Sequence, residues 1–248
     1  MNQAIIEFQN VSVTLNANPI HRDLSFSVQR GESITLLGPS GTGKTVLLKL
    51  IVGLLRPTSG SLTLFGQEML TATDKVVREI RKQVGFLFQG AALFDSLNVY
   101  ENIAYSLRQR GERDENFIKH KVHEKLELVG LSGREELYPS ELSGGQKKRV
   151  GLARALASEP EVMLFDEPTT GLDPTSARRI DDLIVDLNQS FGITTLSVTH
   201  DISSASRISK RWILLAHGEL VADGQSDALC RNNQSVIDFV GGNWMDEG

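Results

Sequence analysis

Gly38-Pro39-Ser40-Gly41-Thr42-Gly43-Lys44-Thr45 has the spacing G-x-x-x-x-G-K-[ST], in which a glycine-rich turn bends backbone N–H groups around phosphate oxygens. A helix beginning at that turn adds the partial positive charge of its N-terminus. The flanks have the required form: Ser33 to Leu37 read as a short buried strand, and Val46 to Val52 as a helix with an apolar face. Strand, glycine turn and helix in that order predict a nucleotide site, with Gly38 through Val46 as its binding stretch. Lys44 is placed to reach the β- and γ-phosphates, and Thr45 offers its hydroxyl to the magnesium that bridges them. A ligand-free turn has no need of three glycines, each of which loses backbone entropy on folding.

Working outward, Ile5 to Phe8 and Val11 to Leu15 read as strands, Asn16 to Pro19 as a turn, and Leu24 to Val28 as an alternating strand ending near Gly31. This is a small antiparallel sheet leading into the phosphate loop. After the first helix come a turn at Arg56 to Gly60, a strand at Ser61 to Phe65, and a charged helix at Lys75 to Lys82. The apolar strand Val84 to Phe88 then ends in Gln89, a polar residue positioned to act as a ligand. Residues 90–159 change character: Glu101 to Arg110, Asn116 to Val129 and Gly145 to Ala157 carry helical patterns. The charge-rich stretch from Arg108 to Lys125 reads as a solvated face. The predicted architecture is α/β: a single domain over 1–248 with a P-loop NTPase core (1–89 and 160–248), an N-terminal antiparallel β-subdomain and an inserted α-helical subdomain (90–159).

Ser143-Gly144-Gly145-Gln146 opens the last inserted helix, and a serine followed by two glycines there is either an ordinary cap or a second anion cradle. Val162 to Phe165 form an unbroken apolar run, as in a strand covered on both faces, and end in Asp166-Glu167. Such strands terminate at the ligand crevice of an open α/β sheet. An aspartate there helps hold magnesium in P-loop NTPases, while Glu167, on the opposite side of an extended backbone, faces the γ-phosphate and a water. Asp173-Pro174 starts a helix whose stripe of Ile180, Leu183, Ile184 and Leu187 is packing. Thr194 to Val198 form the next strand, with His200 beyond its end as either a site residue or a structural histidine. Trp212 to Ala216 and Glu219 to Ala222 read as a hairpin around His217-Gly218. Ser226 to Val240 read as a helix ended by Gly241-Gly242.

A formal charge of −5 argues against a general nucleic-acid binder. Cys230 is the only cysteine, so neither an internal disulfide nor a cysteine-rich metal site forms, which fits a reducing compartment. No stretch approaches the roughly 20 apolar residues of a spanning helix, and Met1 to Asn10 lack the basic and apolar regions of a signal peptide. The expectation is cytoplasmic, with docking on a membrane protein open.

With these stretches in place, the chain resembles the ATP-binding-cassette ATPases over essentially its full length. Leu142-Ser143-Gly144-Gly145-Gln146 matches that family's signature motif and lies between the phosphate loop and the Val162 to Glu167 strand. The resemblance implies hydrolysis of ATP with magnesium. It places Gln89 in the Q-loop, contacting magnesium or the attacking water, Asp166 near magnesium, Glu167 as catalytic base and His200 as the switch histidine near the γ-phosphate. Thr170-Gly171-Leu172-Asp173 matches the D-loop. It also implies a second copy packed head to tail, so that Ser143, Gly144, Gly145 and Gln146 of one chain serve the γ-phosphate held by Lys44 of the other.

Within the family, Phe88-Gln89-Gly90-Ala91-Ala92-Leu93-Phe94 followed by Asn98-Val99-Tyr100-Glu101-Asn102 is similar to the ATPase subunit of Mla-type (maintenance of lipid asymmetry) phospholipid transporters. That implies attachment to the cytoplasmic face of the bacterial inner membrane through an integral-membrane permease. A small cytoplasmic accessory protein and a periplasmic lipid-binding component are the further implied partners, and no nucleic acid is expected. The alternatives are a soluble cassette ATPase in assembly or nucleic-acid processing, and a transporter of another solute. One departure concerns the base: many cassette ATPases place an aromatic residue where Leu15 falls, and Thr14 to Asn18 contain none. Apolar packing by Leu15, or a polar or planar contact from His21 or Arg22, then serves the adenine, and use of GTP stays open.

Overall fold

In the computed structural model, which describes residues 4–244, strand β1 (Ala4–Leu15) turns through Asn16 and Ala17 into β2 (Asn18–Gln29). Both turn residues have positive φ, 50° and 65°, the geometry that matches a two-residue turn to the twist of its strands. The reading of Met1 to Asn10 as free of a leader rests partly on residues outside this range. The two strands expected at Ile5 to Phe8 and Val11 to Leu15 are one, because the register shift between Phe8 and Val11 is absorbed as a bulge with Asn10 at φ 50°. β3 (Ser33–Leu37) leads into the phosphate loop and α1 (Lys44–Ile51). β4 (Ser59–Leu64) and the short β5 (Gln67–Glu68) complete an antiparallel sheet in the order β2-β1-β4-β5.

The chain then forms α2 (Asp74–Lys82), β6 (Val84–Leu87), α3 (Val99–Gln109), α4 (Glu115–Leu128) and α5 (Gly144–Leu156). It returns through β7 (Val162–Asp166), α6 (Pro174–Gln189), β8 (Thr194–Val198), α7 (Ile202–Ile208), β9 (Arg211–Ala216) and β10 (Glu219–Gln225). The second sheet has the order β10-β9-β3-β8-β7-β6, parallel except for β10. The helix expected over Ser226 to Val240 is two, α8 (Ser226–Asn232) and α9 (Gln234–Val240). Asn233 leaves helical geometry and caps α9 by accepting from the Val236 N–H at 3.1 Å.

The apolar run of β7 is explained by two cores. Val162 and Leu164 pack with Phe8, Leu24, Ile34 and Leu48 under the antiparallel sheet, whereas Met163 and Phe165 pack with Ile103, Val122, Val150 and Ile184. Successive side chains enter opposite faces, so an alternating polar face would leave one core unfilled. The inserted helices share their core with α6 and the far face of the sheet. The architecture is thus the expected mixed α/β P-loop core with an N-terminal β-subdomain and an inserted helical subdomain.

Candidate active site

Parallel pairing brings the functional ends together. Leu36 of β3 is level with Val198 of β8, which is level with Asp166 of β7, and Phe165 is level with Leu87 of β6. The carboxyl ends of β3, β7, β8 and β6 therefore release the phosphate loop, Asp166-Glu167, Thr199-His200 and Phe88-Gln89 at one edge. A cavity of 330 Å³ there is lined by Ser40, Gly41, Gly43, Lys44, Thr45, Val46, Gln89, Glu167, Val198 and His200.

The loop is shaped by close backbone approaches. A Cβ at Gly38 would fall 2.2 Å from the Leu215 carbonyl oxygen, and one at Gly43 would fall 2.7 Å from His21 Nε2. Gly43 has φ 81° and caps α1 through its backbone. Pro39 O receives the Thr42 hydroxyl at 2.9 Å, and Lys44 Nζ donates to the carbonyls of Gly38 and Pro39, both at 2.7 Å. The ammonium thus bridges its own loop at the mouth of the cavity. Burial lowers the Lys44 pKa, opposed by the carboxylates of Glu167 and Asp166.

Asp166 lies on the β7 face that meets α1, and its Oδ1 accepts the Thr45 hydroxyl at 3.0 Å. Burial raises the Asp166 pKa. Two hard oxygen donors side by side, with Gln89 on the same cavity wall, fit magnesium, which keeps waters and phosphate oxygens for its remaining positions. Among the described residues no group of three or more His, Cys, Asp and Glu side chains gathers into a metal cage.

Glu167 departs from the extended backbone expected of it. Its φ is 47°, a left-handed turn that breaks the alternation of β7 and swings the side chain toward β8. There Oε1 lies 2.9 Å from His200 Nδ1, and Oε2 accepts the hydroxyls of Thr170 at 2.9 Å and Thr199 at 3.3 Å. The Glu167 N–H donates to Val198 O at 2.9 Å, and its own carbonyl accepts from Lys148 Nζ at 3.0 Å. Thr199 and Lys148 were not expected as site residues, and Thr170 was expected only as part of the D-loop match. For Thr199 the signal was its place between a buried strand and His200; for Lys148 it was a lysine on the apolar side of a helix.

The signature residues lie outside this cavity. Ser143 caps α5, accepting from the Gln146 N–H at 3.3 Å while Gln146 Oε1 accepts from the Ser143 N–H at 2.8 Å, a capping box. Ser143 and Gly144 are exposed, but Gly145 is buried where a Cβ would meet Ser176 at 2.9 Å. Asp173 caps α6 through the N–H groups of Thr175 and Ser176 at 3.0 and 3.1 Å. Of the three candidates for the base, His21 is buried beneath the phosphate loop and is corrected to a support for it. Arg22 is exposed, and Leu15 is half-buried against the β-subdomain core.

The sequence profile of the family described as ABC transporter matches residues 21–170, a span holding the phosphate loop, Gln89, the signature and Glu167. The chain belongs to the ABC transporter family. It is an ATP-binding cassette, the class whose ATP hydrolysis energises transport. The cassette is 41% identical over 232 residues to the probable ribonucleotide transport ATP-binding protein mkl of Mycobacterium tuberculosis, covering 94% of this chain and 65% of that protein. It is 39% identical over 243 residues to the intermembrane phospholipid transport system ATP-binding protein MlaF of Haemophilus influenzae, covering 98% and 92%. It is 41% identical over 233 residues to the methionine import ATP-binding protein MetN of Geobacillus kaustophilus, covering 94% and 66%. The chain spans about two thirds of the length of the mkl and MetN relatives, and identity alone does not separate the three. Among solved structures, the ATP-binding cassette MJ0796, dimeric in a post-hydrolysis state with ADP and Pi, matches with a TM-score of 0.82 at 31% identity. That match covers 89% of this chain and 98% of the other, and it supports pairing of the cassette with a second copy. No helix among the described residues is long and apolar enough to cross a membrane.

Proposed function

We propose that this cassette is the ATP-hydrolysing subunit of a transporter that moves phospholipid. It works as a head-to-tail pair on the cytoplasmic face of the bacterial inner membrane. The observation that carries the docking is the surface built directly after Gln89. Asn102, fully buried, receives the Phe94 N–H at 2.8 Å and donates to the carbonyls of Phe94, Leu97 and Asn98 at 3.1, 2.9 and 3.0 Å. Arg154 holds the carbonyls of Ala91 and Ala92, both at positive φ, from the other side at 2.8 and 2.7 Å. The braced loop leaves Phe88, Phe94 and Tyr105 exposed at a groove of 610 Å³. This opening, aromatic and rimmed by Arg78, Arg81 and Arg110, is where the permease docks, and its lining residue Phe88 directly precedes Gln89 of the nucleotide cavity. Phe88 to Phe94 and Asn98 to Asn102, within this surface, are the stretches by which the sequence is similar to Mla-type subunits, and the likeness to MlaF extends over nearly all of both chains.

At the site, Glu167 takes the proton of a water in line with the γ-phosphorus, and His200 holds the carboxylate from its other side. Lys44 leaves the carbonyls of Gly38 and Pro39 for the phosphate oxygens, which the loop N–H groups and the α1 N-terminus also stabilise. Thr45 and Asp166, with Gln89 nearby, would hold magnesium, which would supply neutralisation of phosphate charge. Ser143 and Gly144 of the second copy complete the phosphate shell. ATP binds the closed pair more tightly than the open one, and that difference drives the permease.

The test is purification of the full chain with its complex from detergent-solubilised native membranes. Bound lipid is then identified by mass spectrometry, and ATPase activity is measured with added phospholipid, methionine or ribonucleotide. A multispanning partner, bound phospholipid and a response to phospholipid alone are expected. A response to methionine or ribonucleotide and none to phospholipid overturns the cargo; recovery of soluble assembly or nucleic-acid factors alone overturns the transporter.

A further inference from the structure

Lys148 is a buried cation to which the roles above give no task. It lies on the inner face of α5, about one turn past the exposed glycine of the signature, and is 5% exposed. Its ammonium donates to the main-chain oxygen of Glu167 at 3.0 Å. It is not among the residues lining the nucleotide cavity, so it is not placed to touch phosphate. An ammonium taken out of water is unfavourable unless its geometry is used. Burial lowers its pKa, and the carboxylates of Glu167 and Asp166 oppose that shift.

The contact falls where the main chain most needs an anchor. A left-handed backbone at a residue with a Cβ persists only where the surroundings over-determine it. At Glu167 the anchors are the N–H bond to Val198 and the carbonyl, which Lys148 shares with the Thr170 N–H at 3.3 Å. The same helix bears the exposed Ser143 and Gly144 at its start and, near its end, Arg154 on the loop behind Gln89. One helix therefore carries the signature residues, the anchor on the Glu167 main chain and a wall residue of the groove.

We propose that Lys148 is a positioning residue for hydrolysis, fixing the Glu167 main chain so that movement of the signature helix is delivered to the catalytic carboxylate. The inference rests on the reading of Glu167 as the base. Lys148→Met removes donor and charge at similar volume, and Lys148→Arg keeps both. In the full chain, Lys148→Met is expected to lower kcat by about tenfold or more with KM held within about twofold, the split of an interaction used in the transition state. Equilibrium affinity for a fluorescent ATP analogue, read without turnover, should also hold within about twofold, and Lys148→Arg should regain most of kcat. Wild-type kcat in folded Lys148→Met, or losses in affinity and kcat of equal size, overturns the proposal. Should Lys148→Met not fold, Lys148→Gln carries the same measurement, and wild-type kcat there overturns the role of the ammonium. Glu167→Gln measured alongside separates the two failures: normal turnover in that variant removes the base itself, whereas a dead Glu167→Gln beside an unaffected Lys148→Met removes only the role of Lys148.

Discussion

His21 Nε2 lies 3.0 Å from the Gly43 carbonyl oxygen, so the β-subdomain touches the phosphate loop at the residue that opens α1. The ring donates there as the Nε2–H tautomer, and Nδ1 is buried beside Gly218 without a hydrogen bond of ordinary geometry. His21→Phe keeps the volume and loses the donor. One such bond contributes about 1 kcal/mol, so ATP affinity should weaken by roughly fivefold in equilibrium titration, with the melting temperature little changed. Unchanged affinity would show that Gly43 holds its shape unaided.

Burial also lowers the His21 pKa, against the opposing backbone contacts at Gly43 and Gly218. A base depressed in the folded state binds fewer protons there than in the unfolded chain. Its contribution to stability is therefore full above the ordinary value of 6.5 and is lost as pH falls below it toward the folded value. Melting temperature should decline through this window in wild type and decline less steeply in His21→Phe. Parallel slopes would assign the decline to other groups.

Glu167 and His200 face each other at 2.9 Å, which ties the proposed base and the histidine into one unit. Glu167→Gln should keep ATP binding, accumulate ATP-dependent dimers in size-exclusion chromatography and lose about 10²–10⁴ in phosphate release. His200→Ala should lose turnover with ATP affinity retained. Normal phosphate release in Glu167→Gln would move the base elsewhere.

The parts of the site that lie on regular elements were legible in the sequence. Thr194 to Val198 match β8 end to end, because a strand between two helical layers must be apolar or small throughout and needs no polar face. Glu167 was found by its place after such a strand, but its direction was not: local alternation predicts an extended residue, and only contacts with Val198, Lys148 and Thr170, distant in sequence or across the turn, impose the left-handed one. α7 was missed because its seven residues Ile202–Ile208 are too few for periodicity to register. Lys148 was missed because a lysine in a helix ordinarily means solvent, even on the apolar side of α5, and its partner, the Glu167 carbonyl, lies far along the chain.

Asp181 is completely buried and joins α6, which follows the D-loop, to α7, which follows His200. Its oxygens accept the Ser204 hydroxyl at 2.5 Å and the Arg207 guanidinium at 2.7 Å. Burial raises its pKa, and Ser204 and Arg207 oppose the shift. Arg207→Ala should destabilise by about 1–3 kcal/mol, and Asp181→Asn in that background should restore part of the loss. The sign follows from linkage: an acid raised in the folded state holds its proton more tightly there, so the cost is absent below its ordinary value of 3.8 and grows as pH rises through the folded value. Denaturant melts of both variants at low and neutral pH would reveal a pH-independent loss if the lock works by packing alone.

Leu15 ends β1 at the position where the resemblance implies an aromatic ring on the base, and it is half-buried against the β-subdomain core. An aliphatic side chain offers the purine contact area without the offset-stacked geometry that aromatic pairs add. ATP and GTP should therefore bind wild type with affinities within about tenfold, since neither base gains a ring and phosphate contacts are common to both. Leu15→Tyr at this half-buried strand end should add about 0.5–1.5 kcal/mol, tightening ATP binding by roughly two- to tenfold with little change in kcat. Competition titrations with both nucleotides decide it. A strong ATP preference in wild type, undiminished in Leu15→Ala but lost in Arg22→Ala, would move base recognition from the strand end to Arg22.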